Sequence, residues 1–105
     1  MDLSAPPDLR GRRILIVESE VALVLPLQNA LENEGAETLA VSDPYSPSGA
    51  ESIATFTVCA AVINSVLRSV ARALDVPVLI YGASTTVPPQ ANAIVRELKG
   101  MLSKC

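Results

Sequence analysis

Four short hydrophobic runs recur along the chain, and each has the length of one strand. Continuous apolar runs of four to eight residues are typical of strands that are buried on both faces of a parallel sheet. Runs of this kind predict strands over residues 13–18, 37–41, 58–63 and 76–81.

The segments between these runs carry helical patterns. From Val21 to Leu31, apolar residues recur at spacings of three and four, which predicts an amphipathic helix over residues 21–34. We expect Ser19 to cap this helix. A Ser- and Pro-rich loop over residues 42–49 precedes a weak, short helix over 50–56. Further helices are predicted over residues 66–74 and 89–103.

Strands that alternate with helices predict one α/β domain. Such a chain pairs its strands in parallel through right-handed crossovers and forms a three-layer sandwich. The length of 105 residues suits one domain and is too short for two. We predict a flexible leader over residues 1–12 and the domain over residues 13–105.

The composition narrows the range of partners. Half of the residues are hydrophobic, the net charge is -3 and only 3% are aromatic. Nucleic-acid binding normally needs a basic face and stacking aromatic residues, so we expect none. No apolar stretch approaches the roughly 20 residues of a membrane-spanning helix. Because residues 1–13 also lack the apolar core of a signal peptide, we expect a cytoplasmic protein without membrane contact.

Three motifs give the chain a resemblance to response-regulator receiver domains. RILIVESE at residues 13–20 resembles the family's first strand, which ends in two adjacent acids. AAVINSVL at 60–67 resembles the third strand, which ends in the phosphoacceptor aspartate. VPVLIYGA at 76–83 resembles the fourth, which ends in a small hydroxyl residue. The similarity covers most of residues 13–83, and it implies a flavodoxin-like sandwich with a parallel sheet of order 2-1-3-4.

The same resemblance implies that the phosphorylation site is degenerate. Phosphoryl transfer in this family needs an aspartate nucleophile, a metal held by acids, a hydroxyl residue and a lysine, because negative charge must be offset. Glu18 matches the first acid, but Ser19 replaces the second and Asn64 replaces the phosphoacceptor. Gly82 stands at the hydroxyl position and Val87 at the lysine position. The resemblance therefore implies no catalytic residue, no metal and no cofactor.

The chain is also shorter than the family pattern after its fourth strand. The resemblance implies that the fourth helix and the fifth strand are missing or reduced to a few residues around 85–87. Their loss would uncover the edge of the fourth strand, and an uncovered edge favours pairing with another chain. We expect this edge, together with the last helix, to contact a second copy or a protein partner.

The leading hypothesis is a pseudo-receiver, a non-enzymatic interaction or regulatory module that acts without being phosphorylated. Its partner would be a protein of two-component-type signalling or transcription control. One alternative is a small-ligand sensor that uses the crevice near Glu18 and Asn64, and another is a domain cut from a larger regulator. At that crevice we expect Glu18 to be a solvated acid and Asn64 a loop residue bonded to its own backbone, rather than a pocket.

Overall fold

The fold is a four-stranded parallel sheet with helical segments on both faces. A computed structural model describes residues 9–83 and 85–102. The strands are β1 (Arg13–Val17), β2 (Glu37–Val41), β3 (Ala60–Asn64) and β4 (Val78–Tyr81). The helices are α1 (Val21–Asn33), α2 (Pro47–Phe56) and α3 (Ala91–Leu102), and a 3₁₀ segment (Ser65–Ala73) follows β3. The predicted succession of strands and helical segments is confirmed.

The strand order 2-1-3-4, with all strands parallel, is also confirmed. The central strands β1 and β3 are buried along nearly their whole length, which explains their unbroken apolar sequences. The carboxyl ends of parallel strands lie at the same edge of a sheet. The residues at or just after the ends of β1, β3 and β4 therefore lie close together there. We call this the carboxyl end of the sheet, and this architecture is consistent with a flavodoxin-like fold.

The two faces of the sheet are covered to different depths. On one face, α1 and α3 bury a set of large side chains against the sheet, namely Leu27, Leu31, Ile94, Val95, Leu98 and Leu102. On the other face, the buried residues of α2 and the 3₁₀ segment are Gly49, Ser65 and Val70. The core is therefore concentrated under α1 and α3.

Two helix starts differ from the predictions. Ser19 does not cap α1, because the capping residue is Glu20, whose side chain makes no capping hydrogen bond. Helix α2 begins at Pro47, three residues before its predicted start. The Ser46 hydroxyl accepts a hydrogen bond from the Gly49 N–H at 3.1 Å, and proline is favourable in the first turn of a helix.

Other boundaries also shift. The third and fourth strands each begin two residues later than predicted, at Ala60 and Val78. The segment after β3 is a 3₁₀ segment interrupted at Leu67 rather than the predicted α-helix. Most of the predicted leader lies outside the described residues, but Leu9 is fully buried in the core under α1 and α3. Within the described ranges, no helix is long and apolar enough to span a membrane.

Candidate functional site

Two of the residues that the resemblance assigns to phosphorylation, Glu18 and Asn64, lie close together at the carboxyl end of the sheet, beside Tyr81. Glu18 directly follows β1, Asn64 ends β3 and Tyr81 ends β4. Asn64 is opposite Tyr81 in the register of β3 and β4. Because β3 lies between β1 and β4, Asn64 stands between Glu18 and Tyr81. We call Glu18, Asn64 and Tyr81 the Glu18 cluster.

The Glu18 carboxylate is buried and hydrogen-bonded at both oxygens. Only 1% of the residue is exposed. Its Oε1 accepts hydrogen bonds from Asn64 Nδ2, at 2.9 Å, and from the Tyr81 hydroxyl. Its Oε2 accepts a hydrogen bond from the Glu20 backbone N–H at 3.0 Å. The prediction of a solvated acid is therefore wrong, because side chains from β3 and β4 replace water around Glu18.

All of these donors are electrically neutral. Among the described residues, no arginine or lysine forms an ion pair with Glu18. A buried carboxylate is costly to the folded state unless hydrogen bonds satisfy its oxygens. The three donors supply those bonds, and burial shields the remaining acceptor site of Oε2 from solvent.

Tyr81 belongs to the site although no sequence pattern pointed to it. Its side chain is fully buried. Burial raises the pKa of the Tyr81 hydroxyl well above its ordinary value, and the hydrogen bond to Glu18 and the charge of Glu18 raise it further. The hydroxyl therefore remains a protonated donor at neutral pH. The signal that could have revealed it is positional, since Tyr81 ends the strand beside Asn64.

Asn64 uses both ends of its side-chain amide. Nδ2 donates to Glu18, while Oδ1 accepts a hydrogen bond from the Val66 backbone N–H at 3.0 Å. The second bond caps the start of the 3₁₀ segment, so the prediction that Asn64 bonds its own nearby backbone is confirmed. The same side chain thus fixes both the Glu18 carboxylate and the turn after β3.

The other three predicted site residues lie outside this hydrogen-bond network. Ser19 is exposed, and no hydrogen bond among the described residues joins its side chain to Glu18. Gly82 has a φ of +123°, and a Cβ there would lie 2.9 Å from Ser65 Oγ. A hydroxyl side chain at this position would therefore be strained and would displace Ser65. Val87 is buried in the core under α1 and α3, where it supplies no charge.

The loop after β4 folds back on the strand. The Gly82 N–H donates to the Val87 carbonyl at 3.0 Å, and the Thr85 N–H donates to the Gly82 carbonyl at 3.1 Å. The Thr85 hydroxyl donates to the same two carbonyls. Because α3 begins soon afterwards, at Ala91, the predicted reduction of a fourth helix and fifth strand is confirmed for the described residues.

The larger hollows lie away from the Glu18 cluster. One of about 470 Å³ lies between α1 and α3, and one of about 370 Å³ lies between α2 and the 3₁₀ segment. Neither is lined by Glu18 or Asn64. In the part of the chain that the structure describes, no group of three or more His, Cys, Asp or Glu side chains is placed to hold a metal ion.

Comparison of the chain with protein families, characterised proteins and solved structures returned no match. The resemblance to receiver domains therefore stays a prediction from three sequence motifs. The α/β fold and its strand order follow from the structure alone.

Proposed function

We propose that the protein is a pseudo-receiver, a non-enzymatic interaction or regulatory module of two-component-type signalling or transcription control. The Glu18 carboxylate carries this proposal, because it is buried and its oxygens are bonded by neutral donors. A phosphorylated receiver must admit a metal ion and a phosphoryl donor at this point. Here Asn64, as an amide, cannot form an acyl phosphate.

The proposed partner is a protein in the cytoplasm. Several large hydrophobic side chains near the carboxyl end of the sheet support an interaction role. Val21 and Leu25 in the first turns of α1 are 71% and 57% exposed, and Val66 at the start of the 3₁₀ segment is 86% exposed. Exposed apolar side chains can add to a contact with another protein. The free edge of β4, with α3, is the second proposed surface, and neither nucleic acid nor membrane is a proposed partner.

The first test is incubation with acetyl phosphate and Mg²⁺, followed by measurement of the intact mass. We expect the mass to remain that of the unmodified chain, while an active receiver treated in parallel gains a phosphoryl group. A gain by this protein that disappears in an Asn64→Ala variant would overturn the proposal.

A second test asks whether the cluster admits a metal ion. Titration with Mg²⁺ to millimolar concentrations should leave the backbone amide NMR signals of Glu18 and Asn64 unchanged, because the carboxylate oxygens are occupied. The informative control is Asn64→Asp, which removes one donor and adds a hard oxygen ligand. Saturable shifts at both amides of the unmodified protein would contradict the proposal.

The alternative of a small-ligand sensor at Glu18 and Asn64 has less support. Both Glu18 oxygens are bonded, and the two larger hollows lie elsewhere. Ligand-dependent thermal stabilisation that is lost in a Glu18→Gln variant would favour it. That the chain is a domain of a larger regulator stays a prediction.

A further inference from the structure

The backbone groups of the edge strand β4 alternate between its two sides. The Ala61 N–H donates to the Pro77 carbonyl at 3.0 Å, and Ala61 is opposite Val78 in the register. In a parallel ladder this arrangement directs the N–H and C=O of Leu79 toward β3. The N–H and C=O of Val78 and Ile80 therefore point away from the sheet.

The chain itself limits this free edge at both ends. Gly82 is the next residue whose groups point outward, but its N–H is bonded to Val87 and its C=O to Thr85. At the other end, β4 begins at Val78. Within the described residues, the outward groups of Val78 and Ile80 have no hydrogen-bond partner.

β4 is short, at four residues, but it lacks the other features that usually prevent edge pairing. Its sequence, VLIY, contains no charged side chain, and its register with β3 is continuous, without a bulge. Natural proteins commonly protect exposed edges with lysine, proline or a bulge inside the strand. The free groups of β4 are therefore available for strand pairing.

We propose that β4 pairs with β4 of a second copy of this chain, antiparallel across a two-fold axis opposite Leu79. In this register Val78 lies opposite Ile80 of the partner subunit, and Ile80 lies opposite Val78 of the partner subunit. Residues in such a pair exchange both N–H···O=C bonds, so every free group of the edge is satisfied. The two sheets become one continuous sheet.

A second copy fits this edge better than an unrelated extended peptide, because the free groups form their own complement. Val78 and Ile80, on either side of Leu79, each offer one N–H donor and one C=O acceptor. A two-fold interface brings the same surface of both copies together, so donors must meet acceptors in this way. A longer foreign strand would gain little more pairing, since β4 is only four residues long, from Val78 to Tyr81, and the outward groups of Gly82 are already bonded.

This inference rests on the proposed function only in treating the β4 edge as an interaction surface. The two can fail separately. If the protein is monomeric and is not phosphorylated, the dimer proposal fails and the pseudo-receiver proposal stands. If it is dimeric and is phosphorylated, the dimer proposal stands and the pseudo-receiver proposal fails.

The test is light scattering coupled to size-exclusion chromatography over a concentration series. The mass should rise from 11.0 kDa toward twice that value as concentration increases. Ile80→Pro removes an outward N–H without removing a bond to β3, and it should raise the dimer dissociation constant about 10- to 30-fold. Ile80→Val keeps the N–H and should dimerise like the unmodified chain.

Hydrogen exchange of the unmodified chain provides a second readout that does not depend on any variant folding. The amides of Val78 and Ile80 should become protected as concentration rises, while Leu79 is protected at every concentration because it is bonded to β3. A monomer at all concentrations would overturn the proposal. So would equal dimerisation of Ile80→Pro and Ile80→Val, or a dimer in which exchange at Val78 and Ile80 is unchanged.

Discussion

The carboxyl end of the sheet and the free edge of β4 adjoin each other at Tyr81, yet their polar groups are in opposite states. At the carboxyl end, a buried Glu18 carboxylate is hydrogen-bonded at both oxygens. At the free edge, the outward backbone groups of Val78 and Ile80 have no partner among the described residues. The difference indicates that the Glu18 cluster is structural, and that capacity for new hydrogen bonds lies on the adjacent edge.

Introducing an acid at residue 64 should disturb the cluster most. In Asn64→Asp, a second carboxylate would replace the amide whose Nδ2 lies 2.9 Å from Glu18 Oε1. The lost donor and the repulsion between the two charges should lower the free energy of unfolding by about 3–5 kcal/mol at pH 7. Urea denaturation measures this loss.

The pH dependence separates charge repulsion from loss of the hydrogen bond. Protonation at low pH relieves the repulsion between the two carboxylates, so the repulsive part of the loss is present at pH 7 and disappears as the pH falls. The deficit of Asn64→Asp should therefore shrink toward pH 4, whereas that of Asn64→Ala should change less. Equal deficits for the two variants at pH 7 would contradict the repulsion.

Tyr81→Phe should have the next largest effect. It removes the buried hydroxyl that donates to Glu18, at an expected cost of about 1.5–3 kcal/mol in denaturation experiments. Tyr45→Phe is the matched control, because its hydroxyl bonds Ser69 at an exposed site and should matter little. Similar losses of stability for both variants would show that the buried hydrogen bond to Glu18 contributes no more than the exposed one to Ser69.

Alkaline titration tests the same residue by the sign of its pKa shift. The folded protein binds the Tyr81 proton more tightly than the unfolded chain does, because the pKa is raised. The corresponding stability is present below the unfolded pKa of about 10 and is lost as pH rises above it. The stabilities of the unmodified protein and Tyr81→Phe should therefore converge above about pH 10.

Gly82→Ala tests the boundary between the two regions. The positive φ and the 2.9 Å approach of an added Cβ to Ser65 Oγ predict a loss of about 1–2 kcal/mol in thermal or urea unfolding. The control is Gly100→Ala in α3, where a Cβ meets nothing within 4 Å and should stabilise by up to about 1 kcal/mol. A neutral Gly82→Ala variant would show that the loop accommodates a side chain.

Ile80→Thr at the free edge should have the smallest effect. The residue is half-buried and its side chain stays β-branched, so we expect a loss below about 1 kcal/mol at a concentration where the protein is monomeric. A loss as large as that of Tyr81→Phe would remove the contrast between the two regions.

The strand order could be predicted because short apolar runs mark the strands and the resemblance to receiver domains implies their order. The residues at which the helical segments begin were harder to predict. The cap at Ser46 lay within a segment that its Ser and Pro residues marked as a loop, and Asn64 supports a 3₁₀ turn that periodicity does not distinguish from an α-helix. Side-chain capping, rather than hydrophobic pattern, decides these positions.

The site could be predicted only in part, for a related reason. The motifs placed Glu18 and Asn64 correctly at adjacent strand ends, but the burial of Glu18 depends on Tyr81, which lies 63 residues away. Only the lateral order of the strands reveals that these side chains meet. The burial of a side chain at a strand end therefore depends on the other strands of the sheet more than on the local sequence.

The span of the Glu18 cluster also has a consequence for how the chain folds. The side chains that bond Glu18 lie in β3 and β4, 46 and 63 residues further along the chain. Bringing together residues so far apart costs more conformational entropy than forming a local contact. The hydrogen bonds to Glu18 are therefore complete only once β4 has joined the sheet. During synthesis, this step awaits the emergence of residue 81, so full hydrogen bonding of one carboxylate marks completion of the sheet.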